Sequence, residues 1–544
     1  MKKLLQLIAI QIKNQFRLSS KIKPKYVPLV ILGLVLAFAP LIGSVSVLMY
    51  FFGQSAIQIG IAPQFLTVMF LGVQFVTIFF SVPTLYSLLY SSKDSEFLSG
   101  LPIKPSQIFF SKMVITYLTE IVITLCLLPL LIAFGIGSNV SALFYIILPF
   151  VVLILPVLPL LLSAILTIPL MYIVSYFKRK AVLASIFILL ITMFIFGGYL
   201  YFVYSMTSII PDDPSQINLT GIVTTFTSIA KIIFFDYAFA NVLLFNGNIF
   251  LNLLVGLGTN LVILILSLLV ASKFYEKGVS AQLQHSINTN QKVQEFVSRT
   301  TLKSLIIKDF KEILKNTSLM FYCSFSIIFT PLFLIFYLGS QSIGSTVSSN
   351  INLTPLTTFA FILMLAVGMN YVATCSITRE NNSIYILKII PVSYKTILQS
   401  KLILGFCSSL ISVFVSILMA VIFLNINVLL ALVMFIALAI LSYAFTCLAL
   451  DIDIRKPRLN YTSITEGIKN SPSSLTSMFS AMGLTVVFGA IFACGYFYIS
   501  NYMSMVLTNI IVWVFIYAIS IILAVVFHKN LYKNAEQKIE NIFI

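Results

Sequence analysis

The sequence predicts an all-α, polytopic membrane fold, and three observations predict it. Of 544 residues, 60% are hydrophobic and only 9% charged, with a mean hydropathy of +1.06, whereas soluble domains carry about 25% charged residues. Apolar runs exceeding the ~20 residues that cross a bilayer recur along the whole chain. The 33 Lys and Arg, against 16 Asp and Glu, fall in short segments between those runs, as topology signals facing an anionic membrane surface do. A water-soluble fold is excluded. The net charge of +17 therefore points to membrane lipids as partner, with no nucleic acid implied.

The chain opens with MKKLLQLIAI, which begins like a signal peptide, but Gln11, Lys13, Asn14 and Arg17 interrupt the apolar region and no A-x-A site follows. Leu5, Ile8, Ile12 and Phe16 recur at helical spacing, with Lys3, Gln6, Lys13 and Arg17 on the opposite face. This spacing predicts an uncleaved helix lying in the interface.

About twelve spanning helices follow on the ~20-residue criterion. The first six are Tyr26 to Phe52, Gln64 to Tyr90, Ser111 to Gly137, Leu143 to Tyr176, Val182 to Ser208 and Phe250 to Tyr275. The second six are Ser318 to Ser340, Pro355 to Ile377, Ser400 to Leu424, Val428 to Leu450, Met478 to Ser500 and Met505 to Phe527. Leu143 to Tyr176 is overlong and holds Pro149, Pro156, Pro159 and Pro169, so a kinked or broken helix is expected. With a cytoplasmic start, every Lys and Arg except Lys231 lands on the cytoplasmic side, which supports the count and places both termini there.

An internal repeat organises the chain. Leu98, Pro102, Ile108, Ser111 and Lys112 meet Leu387, Pro391, Ile397, Ser400 and Lys401 at one constant offset, and Lys13 and Arg17 are matched by Lys311 and Lys315. Three regions result: a six-span half over 1–275, a polar cytoplasmic linker over 276–302, and a second six-span half over 303–544.

Catalytic chemistry is sparse. The sequence holds no G-x-x-x-x-G-K-[ST], the loop that cradles nucleotide phosphates. His285 and His528 lie far apart in cytoplasmic segments, and the six cysteines form no CxxC pair, so neither a catalytic residue nor a metal site is expected. Glu120 is the one ionisable residue placed well inside a span, a position for a substrate path or a structural hydrogen bond. The cytoplasmic repeats, short amphipathic segments with a proline corner, suit docking onto a partner.

These residues resemble the fused twelve-span permeases of ABC-2 type exporters from Gram-positive bacteria. The resemblance rests on SSKDSEFLSGLPIKPSQIFFSK, on TRENNSIYILKIIPVSYKTILQSK, and on LDIDIRKPRLNYTSITEGIKN. In the last, Asp453, Pro457, Leu459, Tyr461, Glu466, Lys469 and Asn470 match the family's cytoplasmic motif, while Lys456 stands where the family has Arg. The resemblance implies a permease subunit in the bacterial plasma membrane, exporting a hydrophobic or amphipathic substrate. It further implies no cofactor in this chain, with ATP and Mg bound by two copies of a cytoplasmic ABC ATPase subunit. The coupling helices would cover Asp94 to Phe109 and Ser383 to Leu398. Their ATPase-coupling residues would be Asp94, Glu96, Leu98, Leu101, Pro102 and Ile103, then Tyr385, Leu387, Ile390, Pro391, Val392 and Tyr394. An outer segment over Pro211 to Asn248 would lie in or re-enter the outer leaflet. The alternatives are an ion-coupled secondary transporter, disfavoured by the near absence of buried ionisable groups, and a non-transporting membrane scaffold.

Overall fold

The computed structural model describes residues 2–15, 43, 45–90, 98, 103, 105–174, 180–207, 219–284, 300–341, 354–424, 426–459, 461, 464–469, 471–498, 505–540 and 542. Helices account for most of them, and no strand occurs among these described residues. Two compact units are formed, Met1–Asn290 and Gln291–Ile544, and the division falls inside the polar segment 276–302.

The first unit contains α1 (Lys2–Gln15), α2 (Val45–Ile59), α3 (Ala62–Tyr90), α4 (Pro105–Leu125), α5 (Leu128–Gly137), α6 (Ala142–Ile154), α7 (Val157–Val174), α8 (Lys180–Thr207), α9 (Leu219–Ile232), α10 (Phe234–Leu244) and α11 (Ile249–Gln284). The overlong run breaks between α6 and α7, where Leu155 and Pro156 form a turn. The single span expected over Ser111 to Gly137 is two helices, because Pro129 near the start of α5 lacks the N–H that would continue α4. In the expected outer segment, α9 and α10 meet at a bend of 110°. Asp236 in the first turn of α10 is buried, and its Oδ1 accepts from Gln74 Nε2 of α3 at 2.8 Å.

The second unit contains α12 (Thr301–Lys315), α13 (Thr317–Gln341), α14 (Thr354–Ile362), α15 (Tyr371–Thr374), α16 (Ile384–Ile389), α17 (Tyr394–Leu424), α18 (Val428–Arg455), α19 (Ile464–Lys469), α20 (Pro472–Tyr498), α21 (Met505–Tyr532) and α22 (Ala535–Glu540). Between α14 and α15 the helix loosens into a π turn over Leu363–Val367. Side chains from neighbouring helices reach carbonyls in and just after this turn: Ser409 Oγ donates to that of Ala366 at 3.5 Å and Ser477 Oγ to that of Gly368 at 3.1 Å, while Asn370 Nδ2 reaches the Gly405 carbonyl of α17 at 2.8 Å. Irregular backbone at this depth persists only with such internal partners.

Among the described residues, eight helices are long and apolar enough to cross a membrane, or up to ten if each bent pair counts as one. The expected first span lies largely outside the described residues. Phe150, Leu254, Leu429, Val486 and Ile522 are more than half exposed on these helices. Apolar surface gains ~25 cal/mol per Å² on leaving water, so these flanks require a lipid covering.

Small residues set the closest helix approach in the first unit. A Cβ at Gly137 would overlap the Tyr50 carbonyl oxygen, and one at Gly53 would sit 2.5 Å from that of Phe134. The backbones of α2 and α5 therefore cross where only glycine fits. Gly137→Val is expected to lower stability by about 1–3 kcal/mol through overpacking, read as a reduced melting temperature of the detergent-solubilised protein. Gly72→Ala, where nothing lies within 4 Å of the added carbon, is the control expected to leave melting unchanged.

Candidate functional site

An amphipathic helix builds one wall of the site. In α12, Leu305, Asp309 and Ile313 share a face at four-residue spacing; Asp309 and Ile313 are buried, whereas Lys311 and Lys315 remain exposed. This face packs on α17 and sets a carboxylate against the apolar bundle. A second wall is the tight turn over Thr378–Ser383, in which Asn381 adopts φ +45°. Its ψ of −124° lies outside the left-handed helical region, a backbone sparsely populated by residues other than glycine, at the point where the chain leaves the bundle and enters α16.

Ion pairs join the two walls to α17. Arg379 Nη2 lies 3.0 Å from Asp309 Oδ2, Lys401 Nζ lies 3.3 Å from the same oxygen and 2.8 Å from Glu380 Oε1, and Lys308 Nζ reaches Glu380 Oε2 at 2.7 Å. Lys401 also donates to the Ser376 carbonyl at 3.0 Å. Asp309, Arg379, Glu380 and Lys401 are all buried; only Lys308 keeps its side chain substantially exposed. Burying such charges carries a desolvation penalty of several kcal/mol per ion, offset only when each is paired and hydrogen-bonded. Here each has partners from another segment of chain.

The cytoplasmic motif of the sequence lies alongside. Asp453 of α18 is fully buried and accepts from the Ile377 and Thr378 N–H groups at 2.6 and 3.1 Å and from the Thr378 hydroxyl at 2.5 Å. Tyr461 is buried and donates to the Arg379 carbonyl at 3.4 Å; burial raises its pKa above the ordinary tyrosine value. Leu459 packs with Ile377, Ile384 and Ile454. Pro457 is half-buried, and Glu466 and Lys469 belong to α19. Asn470 lies outside the described residues. The helix α22 closes the group, since Lys538 Nζ reaches Asp451 Oδ1 at 2.8 Å and Lys388 of α16 donates to the Glu540 and Ile542 carbonyls at 3.1 and 2.7 Å.

Asp309, Glu312 and Glu380 bring one carboxylate oxygen each within 4.8 Å of one another, a spacing that could hold a metal ion. Lys308, Arg379 and Lys401 already supply opposite charge to Asp309 and Glu380. Glu312 has its pKa raised by burial and then by the Glu380 charge, against the lowering influence of the three cations.

Of the sequence-predicted coupling residues, Asp94, Glu96, Leu101 and Pro102 lie outside the described residues. Leu98 and Leu387, equivalent in the repeat, are both buried, and Ile103 is half-buried. Tyr385, Ile390 and Pro391 are exposed, with Val392 and Tyr394 intermediate. Glu120 is buried inside α4 of the first unit and is not a member of this cluster. The expectation that buried ionisable groups are nearly absent is corrected: Lys112, Asp236, Asp309, Arg379, Glu380, Lys401 and Asp453 are buried as well. Most sit at the ends of apolar runs, where sequence reading assigns them to solvated loops while the fold pairs them. The repeat gave a signal, because Lys401 matches Lys112, also buried and donating to the Leu88 carbonyl at 2.5 Å.

Asp309→Asn should destabilise the protein by about 3–5 kcal/mol, since it leaves Arg379 and Lys401 buried with one carboxylate fewer. Lys308→Met should change stability by less than ~1 kcal/mol, its side chain being 45% exposed. Melting curves of the two variants in the same detergent test that order.

Comparison with known families revises the functional expectations. Residues 25–532 match the family described as "Putative ATP-binding cassette". No curated protein and no solved structure matches the chain. The description overturns the assignment to the ABC-2 type permease family. It also overturns the reading of the chain as a permease subunit that has no ATPase site and leaves ATP and Mg to its partners. The family assignment rested on three short cytoplasmic segments and the absence of an ATPase site on the missing phosphate loop, whereas the family match takes in almost the whole chain. The sequence holds no G-x-x-x-x-G-K-[ST], so no residue is assigned here to nucleotide phosphates. The match covers far more than half of the sequence, and the chain belongs to this ATP-binding cassette family.

Proposed function

We propose that the chain is a membrane-embedded component of an ATP-binding cassette transporter, in which ATP-driven motion enters the apolar bundle through the ionic cluster of the second unit. Twelve spanning helices make up two six-span halves over 1–275 and 303–544, joined by the linker 276–302, in a bacterial plasma membrane with both termini cytoplasmic. The α16 segment is the docking surface for a cytoplasmic ABC ATPase subunit.

One observation carries this reading. On α16 and the residue that follows it, Tyr385, Ile386, Ile389 and Ile390 are exposed by 51, 47, 76 and 37%, outside any helix long enough to cross a membrane. The opposite side is fixed: Leu387 and Ile384 are buried, and Lys388 is tied to the carbonyls of Glu540 and Ile542. An apolar face on a rigid base, one short turn from Arg379 and Glu380, suits a lever that receives a partner and passes its displacement to α12, α17 and α18. Burial of Leu387 moves the docking role onto the exposed residues around it.

The test is copurification of an ABC ATPase, identified as a separate polypeptide by mass spectrometry, with the tagged full-length chain. Tyr385→Asp combined with Ile389→Asp should reduce the recovered ATPase at least about tenfold, the loss expected when two anchor side chains of an interface are removed. Membrane insertion and melting should be unchanged. Undiminished recovery would refute the assignment.

A further inference from the structure

A pocket of about 420 Å³ lies in the first unit between the start of α3 and the turn joining α10 to α11. Its polar lining is five carboxamides, Gln64, Asn241, Asn246, Asn248 and Asn252, together with Tyr237, and no charged side chain contributes. The volume falls within the ~300–1,000 Å³ usual for ligand sites. Two of its groups lack partners. Gln64 Oε1 is buried without a hydrogen bond, and Asn241, 91% buried by its 9% exposure, forms no side-chain hydrogen bond among the described residues.

The walls are held in place. Gln74 grips Asp236 at 2.8 Å immediately before Tyr237, and the Phe239 ring packs so closely on α11 that a Cβ at Gly256 would lie 2.8 Å from it. Gly60 and Gly247, at φ +79° and +70°, form the turns that keep the rim open. A buried polar group without a partner carries a penalty of ~1–3 kcal/mol, and a rigid pocket cannot collapse to relieve it.

We propose that this pocket binds a neutral, polyhydroxylated group, a carbohydrate moiety. Each carboxamide offers both a donor and an acceptor, which matches hydroxyl groups that are themselves both. Without a cation or carboxylate, the lining has no counter-charge for a phosphate, an amino group or a peptide terminus. The same chemistry is presented by a free sugar and by a glycolipid headgroup, and the site does not depend on the docking surface of the second unit.

The experiment uses the full chain in nanodiscs of phosphatidylethanolamine and phosphatidylglycerol prepared without glycoside detergent. Maltose is added as the free probe, and diglucosyldiacylglycerol is included in a parallel set of discs. Binding is read by saturation-transfer NMR for maltose and by lipid retention after exchange for the glycolipid. Saturable binding of either probe, weakened at least about tenfold by both Asn241→Leu and the rim variant Asn252→Ala, is expected; loss of hydrogen bonds of ~1–1.5 kcal/mol gives that factor. Binding of maltose identifies a soluble sugar as the source, and binding confined to the glycolipid identifies a headgroup. Failure of both probes, equal binding by both variants, or saturable binding of the dipeptide Ala-Ala in their place would overturn the proposal.

Discussion

Pairing of buried charge at the end of the apolar bundle is the constraint on which the second unit depends. Asp309, Arg379, Glu380 and Lys401 come from three separate stretches of chain, and none could remain ionised in that surrounding alone. Their joint burial fixes α12 against α17 and ties the Thr378–Ser383 turn to both. The turn in turn determines where α16 leaves the bundle, and Asp453 secures it from the other side by accepting three hydrogen bonds. Low dielectric strengthens each ion pair of this network, in which Arg379 Nε and Nη1 have no hydrogen-bond partner among the described residues, so displacing one member disturbs the others.

The first unit solves the corresponding problem with less charge. Leu7 and Gln11 of α1 are buried at a four-residue spacing, as the face of α12 is, and α1 packs on α4, the helix that carries Lys112. A neutral amide at position 11 stands where the matched lysines would place Asp309. The polar investment of this unit lies elsewhere, in the Gln74–Asp236 pair and the carboxamides around the turn from α10 to α11. The two units therefore carry unlike polar features on comparable helical frames.

The helical, membrane-spanning character was legible in the sequence because it rests on composition and run length, which need no knowledge of neighbours. The break at Leu155 and Pro156 was legible too, from proline, whereas the outer segment was expected only through a family resemblance. The loosening at Leu363–Val367 was not, since Gly368 beside it is not a signal by itself and its support comes from Ser409 and Ser477, the latter more than a hundred positions away. The cluster was half legible. Asp453 and Tyr461 stood out through a motif and Lys401 through the repeat, but Asp309 looked like one more charge on an amphipathic helix. Only the fold brings it to Arg379, 70 positions along the chain. Functional class was misread where three short segments and one absent motif were allowed to decide it, while the family match spans residues 25–532.

The central claim is that the Asp309–Arg379 pair couples α12 to the turn that launches α16. A double-mutant cycle of Asp309→Asn and Arg379→Met, measured by thermal unfolding of the full-length protein, tests it most directly. The account predicts a coupling energy of at least ~1.5 kcal/mol, in the range found for close, desolvated charge pairs. Additive effects within ~0.5 kcal/mol would show that the two side chains act independently and would contradict it.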